Sequence, residues 1–223
     1  MKKKFFENKF IVIEGIDFSG KTTQIKMLSD FLSSNGIKVH CTKEPGGTEF
    51  GERVRELLLS ENFKNLHPMS RLLSFLAIRI EHYEKILIPK MQDGYTILCD
   101  RFDLSTYAYL AGRFDLEQVA KIDEASVGYF CKFSNDLQQF KSNVKFIFLD
   151  ISDNEFKRRY TKRLTQELNH YDRFAFKEFS SLRKSYNELC EKLGYYKINA
   201  NGNEISVHKK ILSFLRQDNQ VFE

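Results

Sequence analysis

Several features that would indicate other classes of protein are missing from this sequence of 223 residues. No apolar run approaches the ~20 residues that a membrane-spanning helix needs. We find no internal repeat, no low-complexity tract and no nucleic-acid motif that combines aromatic and basic residues. The cysteines are widely scattered and form no Cys-x-x-Cys pair, so neither a disulfide framework nor a zinc site is indicated for Cys41, Cys99, Cys131 and Cys190.

The composition is that of an ordinary globular domain, with 42% hydrophobic and 29% charged residues. The net charge of +5 comes from dispersed basic residues, and an anionic small substrate explains it as well as a nucleic acid does. The first residues are basic and then apolar like a signal peptide, but Glu7, Asn8 and Lys9 interrupt that pattern. We therefore expect one domain over residues 1–223, cytoplasmic residence, and no nucleic-acid or membrane partner.

The stretch from Phe10 to Thr23 has the pattern of a phosphate-binding loop. A β-branched apolar run ends at Gly15, four residues intervene, and Gly20-Lys21-Thr22 opens an amphipathic helix. The glycines let the backbone approach an anion closely, and the helix N-terminus attracts a phosphate. Lys21 adds a charge for the β- and γ-phosphates, and the Thr22 hydroxyl is placed to bind Mg²⁺. The alternative is a tight turn between any strand and any helix. The predicted phosphate-binding residues are Gly15, Ile16, Asp17, Phe18, Ser19, Gly20, Lys21 and Thr22.

The remaining pattern alternates strands and helices, which predicts an α/β fold of three layers with a five-stranded parallel sheet covered by helices on both faces. Besides the first strand, strands are expected at 37–41, 95–99, 144–149 and 195–199. Helices are expected at 20–34, 51–59, 70–91, 105–111, 116–133, 174–193 and 205–215, with another beginning near 152.

Three further segments contain candidate functional residues, and each pattern also has a purely structural interpretation. Asp100 and Arg101 follow a buried strand, where the carboxylate can reach a metal and the guanidinium suits a phosphate; the alternative is a helix cap beside an exposed charge. Arg79 shares a helix face with Phe75, although a snorkelling charge beside core residues gives the same pattern. The basic run near residues 158–173 is either a solvated face or a lid that closes over phosphates.

Taken together, these residues resemble one family, the bacterial-type thymidylate kinases, which are P-loop nucleoside monophosphate kinases. The resemblance covers nearly the whole chain. It includes the phosphate loop, Lys43-Glu44-Pro45-Gly46-Gly47-Thr48, the helix with Phe75 and Arg79, the segment from Asp100 through Ser105-Thr106 to Ala108-Tyr109, and Asp172-Arg173. It implies transfer of the γ-phosphoryl group of ATP to dTMP with Mg²⁺, in dTTP synthesis, and a homodimer.

The resemblance also implies roles for individual residues. It places Arg55 and Arg101 on the dTMP phosphate, Phe75 against the thymine ring and Arg79 on a thymine carbonyl. The other implied dTMP contacts are Asp17 at the sugar 3′-hydroxyl, Tyr109 under the deoxyribose, Thr106 near the base, and Ser105. Mg²⁺ is expected at Thr22 and Asp100, and adenine near Ala200.

Three positions depart from the family pattern. Leu110 stands where the family often has a glutamine that bonds thymine, Phe174-Ala175 replaces the usual Ile-Glu of the lid, and Asn199 replaces an aspartate. In addition, Phe18 occupies the P-loop position at which some members carry a basic residue. The catalytic cation is therefore expected from the lid, at Arg158, Arg159, Lys162 or Arg163.

Two alternatives to this function stay open at this point. One is a P-loop kinase for a different nucleoside monophosphate. The other is a nucleotide-dependent switch or sensor without transfer activity, although the sequence has no Asn-Lys-x-Asp motif for guanine, and a sensor would not need Arg55, Arg79 and Arg101.

Overall fold

A parallel sheet of five strands forms the centre of the protein. The computed structural model describes residues 9–110, 117, 121, 144–163 and 170–217. The strands are β1 (Phe10–Glu14), β2 (Val39–Lys43), β3 (Thr96–Asp100), β4 (Val144–Asp150) and β5 (Tyr196–Asn199). All are parallel to their neighbours, in the order β2-β3-β1-β4-β5. The predicted parallel sheet is thus confirmed, with β2 starting two residues later than expected.

The two central strands are buried on both faces. Phe10, Ile11, Val12 and Ile13 of β1 are all 0% exposed, as expected for the middle of a parallel sheet. Alternate residues of β1 enter different cores. Ile11 and Ile13 belong to the larger core on one face, whereas Phe10 and Val12 belong to a smaller one on the other. Apolar layers on both faces of the sheet confirm the predicted three-layer arrangement.

Helices connect the strands. They are α1 (Lys21–Ser34), α2 (Glu49–Leu59), α3 (Pro68–His82), α4 (Ile88–Gln92), α5 (Asp103–Leu110), α6 (Asp153–Arg163), α7 (His170–Lys177), α8 (Phe179–Leu193) and α9 (Glu204–Gln217). No helix within the described ranges is long and apolar enough to cross a membrane.

Two predicted helices are interrupted. The helix expected over 70–91 is divided by a π-helical turn at Tyr83–Leu87, and the one expected over 174–193 is divided at Glu178. The apolar periodicity continues through both breaks, which explains why the sequence pattern alone does not reveal them. The helix predicted over 116–133 lies outside the described residues.

Strand register brings the polar strand ends to one edge. Phe10 pairs with Ile97 and Ile13 pairs with Asp100, so β1 and β3 end at the same level. On β2, Lys43 also pairs with Asp100. The loops that follow β1, β2 and β3 therefore meet at the carboxyl edge of the sheet, where open α/β folds bind ligands.

We predict that Leu28→Ala lowers the free energy of unfolding by about 2–5 kcal/mol, because Leu28 is fully buried between α1 and the sheet. Lys26→Ala on the exposed side of α1 is the control and should change it by less than about 0.5 kcal/mol. Urea unfolding followed by circular dichroism measures both. Equal effects of the two substitutions would contradict the assigned core face.

Candidate active site

The loop between β1 and α1 makes a sharp turn at the carboxyl edge of the sheet. Gly20 has φ 97° and Phe18 has φ 67°, so the chain turns through left-handed conformations just before α1 begins. At Gly15 a Cβ atom would lie 2.5 Å from Ser19 Oγ and 2.9 Å from the Leu149 carbonyl oxygen, which only glycine avoids. The loop thus delivers the N-terminus of α1, with its unpaired amides, to the carboxyl edge of the sheet.

Lys21 lies inside this loop. Its side chain is buried, and Nζ donates to the carbonyl oxygens of Gly15 at 2.9 Å and Ile16 at 3.0 Å. Burial and the nearby charge of Arg101 lower the pKa of Lys21. An additional anion at this loop would therefore stabilise the charged form of Lys21.

Thr22 and Asp100 provide neighbouring oxygens at the same edge. The Thr22 hydroxyl donates to Asp100 Oδ2 at 3.0 Å, while Asp100 Oδ1 is buried and has no hydrogen-bond partner among the residues that the structure describes. An unsatisfied buried carboxylate oxygen beside a hydroxyl suits Mg²⁺, which proteins bind through one or two oxygens together with substrate phosphates. Across the described residues, no three His, Cys, Asp or Glu side chains gather into a larger metal cluster.

A cavity of about 490 Å³ opens above the loop, and we call it the donor cavity. Its walls include Lys21 and Thr22 on one side and the loop after β5 on the other, with Ala200, Gly202 and Glu204. Three basic residues of α6 also line it, namely Arg158, Arg159 and Lys162.

The three basic residues are held differently. Arg159 is half-buried and donates to Glu155 at 2.6 Å, to the Phe18 carbonyl oxygen at 3.1 Å and to the Ala200 carbonyl oxygen at 2.8 Å. Arg158 is exposed and pairs with Glu155. Lys162 is exposed and makes no ion pair within the part of the chain that the structure describes. Arg159 thus joins the phosphate loop to the segment after β5, and Arg158 and Lys162 are the more exposed of the three.

Phe18 connects the loop to α6 by apolar contact. Its ring meets those of Phe156 and Tyr160 edge to face, with centroids 5.8 Å and 5.4 Å away. Phe18, which stands in the loop where a basic residue could be, therefore packs against the helix that presents three basic residues to the donor cavity.

A second, smaller cavity of about 100 Å³ adjoins the first, and we call it the acceptor cavity. All eight residues that sequence analysis associated with the acceptor line it: Asp17, Arg55, Phe75, Arg79, Arg101, Ser105, Thr106 and Tyr109. The two cavities share Asp17, Glu44, Arg55 and Arg101. Charged side chains therefore stand where a donor and an acceptor would meet.

Arg101 is the most highly connected of these side chains. It forms an ion pair with Asp17 and donates to the Gly15 carbonyl oxygen at 2.9 Å, Ser105 Oγ at 3.0 Å and Tyr186 Oη at 3.1 Å. Tyr109 donates to the other oxygen of Asp17 at 2.8 Å. Burial alone would raise the pKa of Asp17, but the charges of Arg101 and Lys21 lower it to about 2. The alternative of an exposed Arg101 does not hold.

Arg79 is more deeply buried than Arg101, with 3% of its side chain exposed against 14%. Its Nε donates to Glu44 Oε2 at 2.8 Å, Nη2 donates to Thr106 Oγ1 at 2.9 Å, and the guanidinium carbon lies 4.9 Å from the centre of the Phe102 ring. The snorkelling alternative is therefore wrong for Arg79. Arg55 is half-buried on α2 and donates to the Pro45 carbonyl oxygen at 2.7 Å.

Some residues of the sequence pattern lie elsewhere. Leu110 is buried in the main core and does not line the acceptor cavity. Its side chain is therefore not placed to contact an acceptor base there. Arg173 pairs with Glu61 on the surface. The side chains of Arg163 and Asp172, and all of residues 164–169 within the expected lid, lie outside the described residues.

Three residues at the site were not assigned a role from the sequence: Glu44, which lines both cavities, Glu14 and Tyr186. Glu14 is fully buried, accepts hydrogen bonds from the Phe102 amide at 2.6 Å, the Ser105 amide at 3.0 Å and the Ser105 hydroxyl, and has its pKa raised by burial. A carboxylate ending an apolar strand is the signal that could have found it. Tyr186 comes from α8, and its local sequence gives no such signal. Its hydroxyl lies 2.9 Å from Ser105 Oγ.

Comparisons with known proteins agree on one family. The family model described as "Thymidylate kinase" matches residues 13–211. The curated "Thymidylate kinase" of Neorickettsia sennetsu is 42% identical over 119 residues, 52% of this chain and 58% of that protein. The chain spans little more than half the length of this relative and of two others with the same name. The "Thymidylate kinase" of Campylobacter hominis is 34% identical over 214 residues, 92% of this chain and 99% of the relative.

A solved structure extends this agreement. The crystal structure of thymidylate kinase from Ehrlichia chaffeensis superposes with a TM-score of 0.63 at 28% identity, covering 93% of this chain and 98% of that one. The superposition therefore covers nearly the whole length of both chains.

We predict that Tyr186→Phe lowers the free energy of unfolding by about 1–3 kcal/mol, because it removes a buried hydroxyl shared by Arg101 and Ser105. The stacking of the ring on Phe148, with centroids 5.4 Å apart, should be retained. Tyr196→Phe is the matched control, since that side chain is 43% exposed, and it should have little effect. Urea unfolding compares the two, and equal stabilities would show that the Tyr186 hydroxyl contributes nothing.

Proposed function

The chain belongs to the thymidylate kinase family, and on that basis we propose that it transfers the γ-phosphoryl group of ATP to dTMP, giving ADP and dTDP. The observation that carries the proposal is the contact between the two cavities. Asp17, Glu44, Arg55 and Arg101 line both, so a triphosphate on the loop would meet an acceptor phosphate between fixed charges. Phosphoryl transfer depends mainly on such alignment and charge neutralisation.

The electrostatics of the shared wall favour an anion. Burial and the charge of Arg101 lower the pKa of both Lys21 and Arg55, which means that these cations lack full compensation from the protein. A phosphate dianion between Arg55 and Arg101 would relieve that repulsion. We infer that these two arginines hold the dTMP phosphate in line with the donor, with Arg101 exchanging part of its contact with Asp17 for the substrate.

The donor would lie in the larger cavity. The loop from Gly15 to Gly20 and the Lys21 ammonium would hold the β- and γ-phosphates, with adenine towards Ala200 and Gly202. Thr22 and Asp100 would hold Mg²⁺, directly or through water. When bound there, Mg²⁺ would neutralise negative charge on the oxygens of the β- and γ-phosphates.

The acceptor base and sugar would occupy the smaller cavity. Phe75 would lie against thymine, Arg79 would donate to a thymine carbonyl, and Thr106 would hold Arg79 from the other side. Tyr109 would lie under the deoxyribose, with Asp17 near the 3′-hydroxyl. Because Leu110 lies outside this cavity, we infer that base preference rests mainly on Phe75 and Arg79.

The lid contributes the cation that the loop lacks. Since Arg159 already bonds two backbone carbonyl oxygens, we infer that it maintains the donor cavity. The exposed Lys162 would approach the phosphoryl group directly, whereas Arg158 would do so by exchanging its ion pair with Glu155. We also propose, from the family alone, a homodimer in the cytoplasm that acts in dTTP synthesis.

A coupled assay of ADP release tests the function. We expect release that depends on dTMP, a modest loss of kcat/KM with dUMP, and strong rejection of dCMP, in which an amine replaces a carbonyl. Lys21→Ala should abolish transfer while circular dichroism shows the protein still folded. Undiminished activity of Lys21→Ala would exclude the P-loop role, no ADP release with any acceptor would favour a sensor, and equal use of dCMP and dTMP would favour a broader nucleoside monophosphate kinase.

Substitutions in α6 test the origin of the cation. We expect Arg158→Ala or Lys162→Ala to lower kcat by up to ~10³-fold with little change in the KM for dTMP, since the contact forms mainly in the transition state. Arg159→Ala should instead raise the KM for ATP. Lys157→Ala, exposed on the same helix, is the control. If kcat stays within a few-fold of the parent in every variant, the basic run is only a solvated face.

A further inference from the structure

A buried histidine lies behind the acceptor cavity without lining it. His82 is 0% exposed at the end of α3, one turn after Arg79. Its Nδ1 lies 3.1 Å from Glu44 Oε1, and its Nε2 lies 2.7 Å from Thr42 Oγ1. Both ring nitrogens therefore have partners, one on the loop after β2 and the other on β2 itself.

Glu44 links this histidine to Arg79. The carboxylate is 3% exposed and uses one oxygen for His82 and the other for Arg79 Nε, at 2.8 Å. Burial would raise the pKa of Glu44, but Arg79 and then His82 lower it, so the carboxylate is ionised. Since an ionised carboxylate only accepts hydrogen bonds, His82 Nδ1 carries the proton directed at Glu44.

The loop that carries Glu44 is shaped to lie on the imidazole. Gly47 has φ 83°, and a Cβ atom there would lie 2.6 Å from both Cδ2 and Nε2 of His82. A ring of different shape at position 82 would therefore change how residues 44–47 are supported. A single ion pair leaves a carboxylate able to rotate, whereas bonds to both oxygens fix its plane.

We propose that His82 is a positioning residue for recognition of the acceptor base, acting through Glu44 to hold the Arg79 guanidinium in the acceptor cavity. The chain of contacts runs from Thr42 through His82, Glu44 and Arg79 to Thr106. Its last three members, Glu44, Arg79 and Thr106, line the acceptor cavity, whereas Thr42 and His82 do not. The inference rests on the proposed function, in which Arg79 reads thymine.

Substitutions at position 82 test this inference by separating binding from turnover. His82→Leu introduces an apolar side chain of similar size, which fills the space but removes both hydrogen bonds. We expect its KM and calorimetric Kd for dTMP to rise by about 10-fold or more, the dTMP-over-dCMP ratio of kcat/KM to fall, and the KM for ATP to stay unchanged. His82→Asn restores an N–H group near the position of Nδ1 and should recover most of the affinity and selectivity.

A double-substitution cycle distinguishes positioning from packing. Because His82 is inferred to act through Arg79, His82→Leu should add little to the dTMP defect of Arg79→Ala. A full additional effect in that background would overturn the inference. So would parental affinity and selectivity in a folded His82→Leu protein. His208→Leu, which removes a partly buried histidine of α9 packed against Phe31, is the control and should leave dTMP affinity unchanged.

A replacement variant and a binding measurement complete the test. If His82→Leu does not fold, Thr42→Val takes its place, because it removes the partner of His82 Nε2. We then expect a lower dTMP-over-dCMP ratio of kcat/KM that Arg79→Ala masks. Parental selectivity of a folded Thr42→Val protein, or a defect that adds fully to that of Arg79→Ala, would overturn the inference. Calorimetry also separates the two proposals. A parent protein that binds dTMP through His82 and Arg79 but releases no ADP would contradict the kinase function alone, whereas a parent that does not bind dTMP would overturn both.

Discussion

The ion pair of the largely buried Arg101 with Asp17, together with its hydrogen bonds, is the interaction on which the site depends. One guanidinium contacts the phosphate loop through Asp17 and the Gly15 carbonyl oxygen, α5 through Ser105, and α8 through Tyr186. An unpaired charge with so little exposure would be costly, and these contacts compensate for that cost. The helices and the loop are consequently held in one arrangement by a side chain that also faces both cavities. Arg101 itself has φ 71°, a strained backbone conformation that the surrounding contacts maintain.

The second buried arginine is held on the same principle by a separate carboxylate. Arg79 pairs with Glu44, as Arg101 pairs with Asp17, and both pairs line the acceptor cavity. Separate compensation lets each arginine keep its orientation whether or not the other engages a ligand. Preorganised charges of this kind stabilise a developing transition state without the cost of reorienting dipoles during the reaction.

The contact between Phe18 and α6 shows how an apolar residue can serve an electrostatic site. Phe18 offers no charge to a phosphate, but its ring packs against Phe156 and Tyr160 and so holds α6 beside the loop. The same helix presents Arg158, Arg159 and Lys162 to the donor cavity. The position of α6 and of the positive charge that it carries therefore depends on contacts with one apolar side chain.

The sequence by itself determined the architecture and the phosphate loop, because both are expressed in short-range signals. The apolar runs of β1 and β3 and the spacing of Gly15, Gly20 and Lys21 depend only on near neighbours in the chain. Asp100 and Arg101 could also be selected, since parallel strands bring their carboxyl ends to one edge of the sheet. The roles expected for individual acceptor residues came from resemblance to a family and not from spacing.

Only the tertiary structure decided how the polar residues are paired. Glu44 joins His82 to Arg79 across 38 and 35 residues of sequence, and Tyr186 reaches Arg101 across 85. It also decided that Leu110 faces the core, and that the long helical patterns break at Tyr83–Leu87 and Glu178. The physical reason is that burial of a charge and the partner that compensates it depend on packing between distant segments, which local periodicity does not encode.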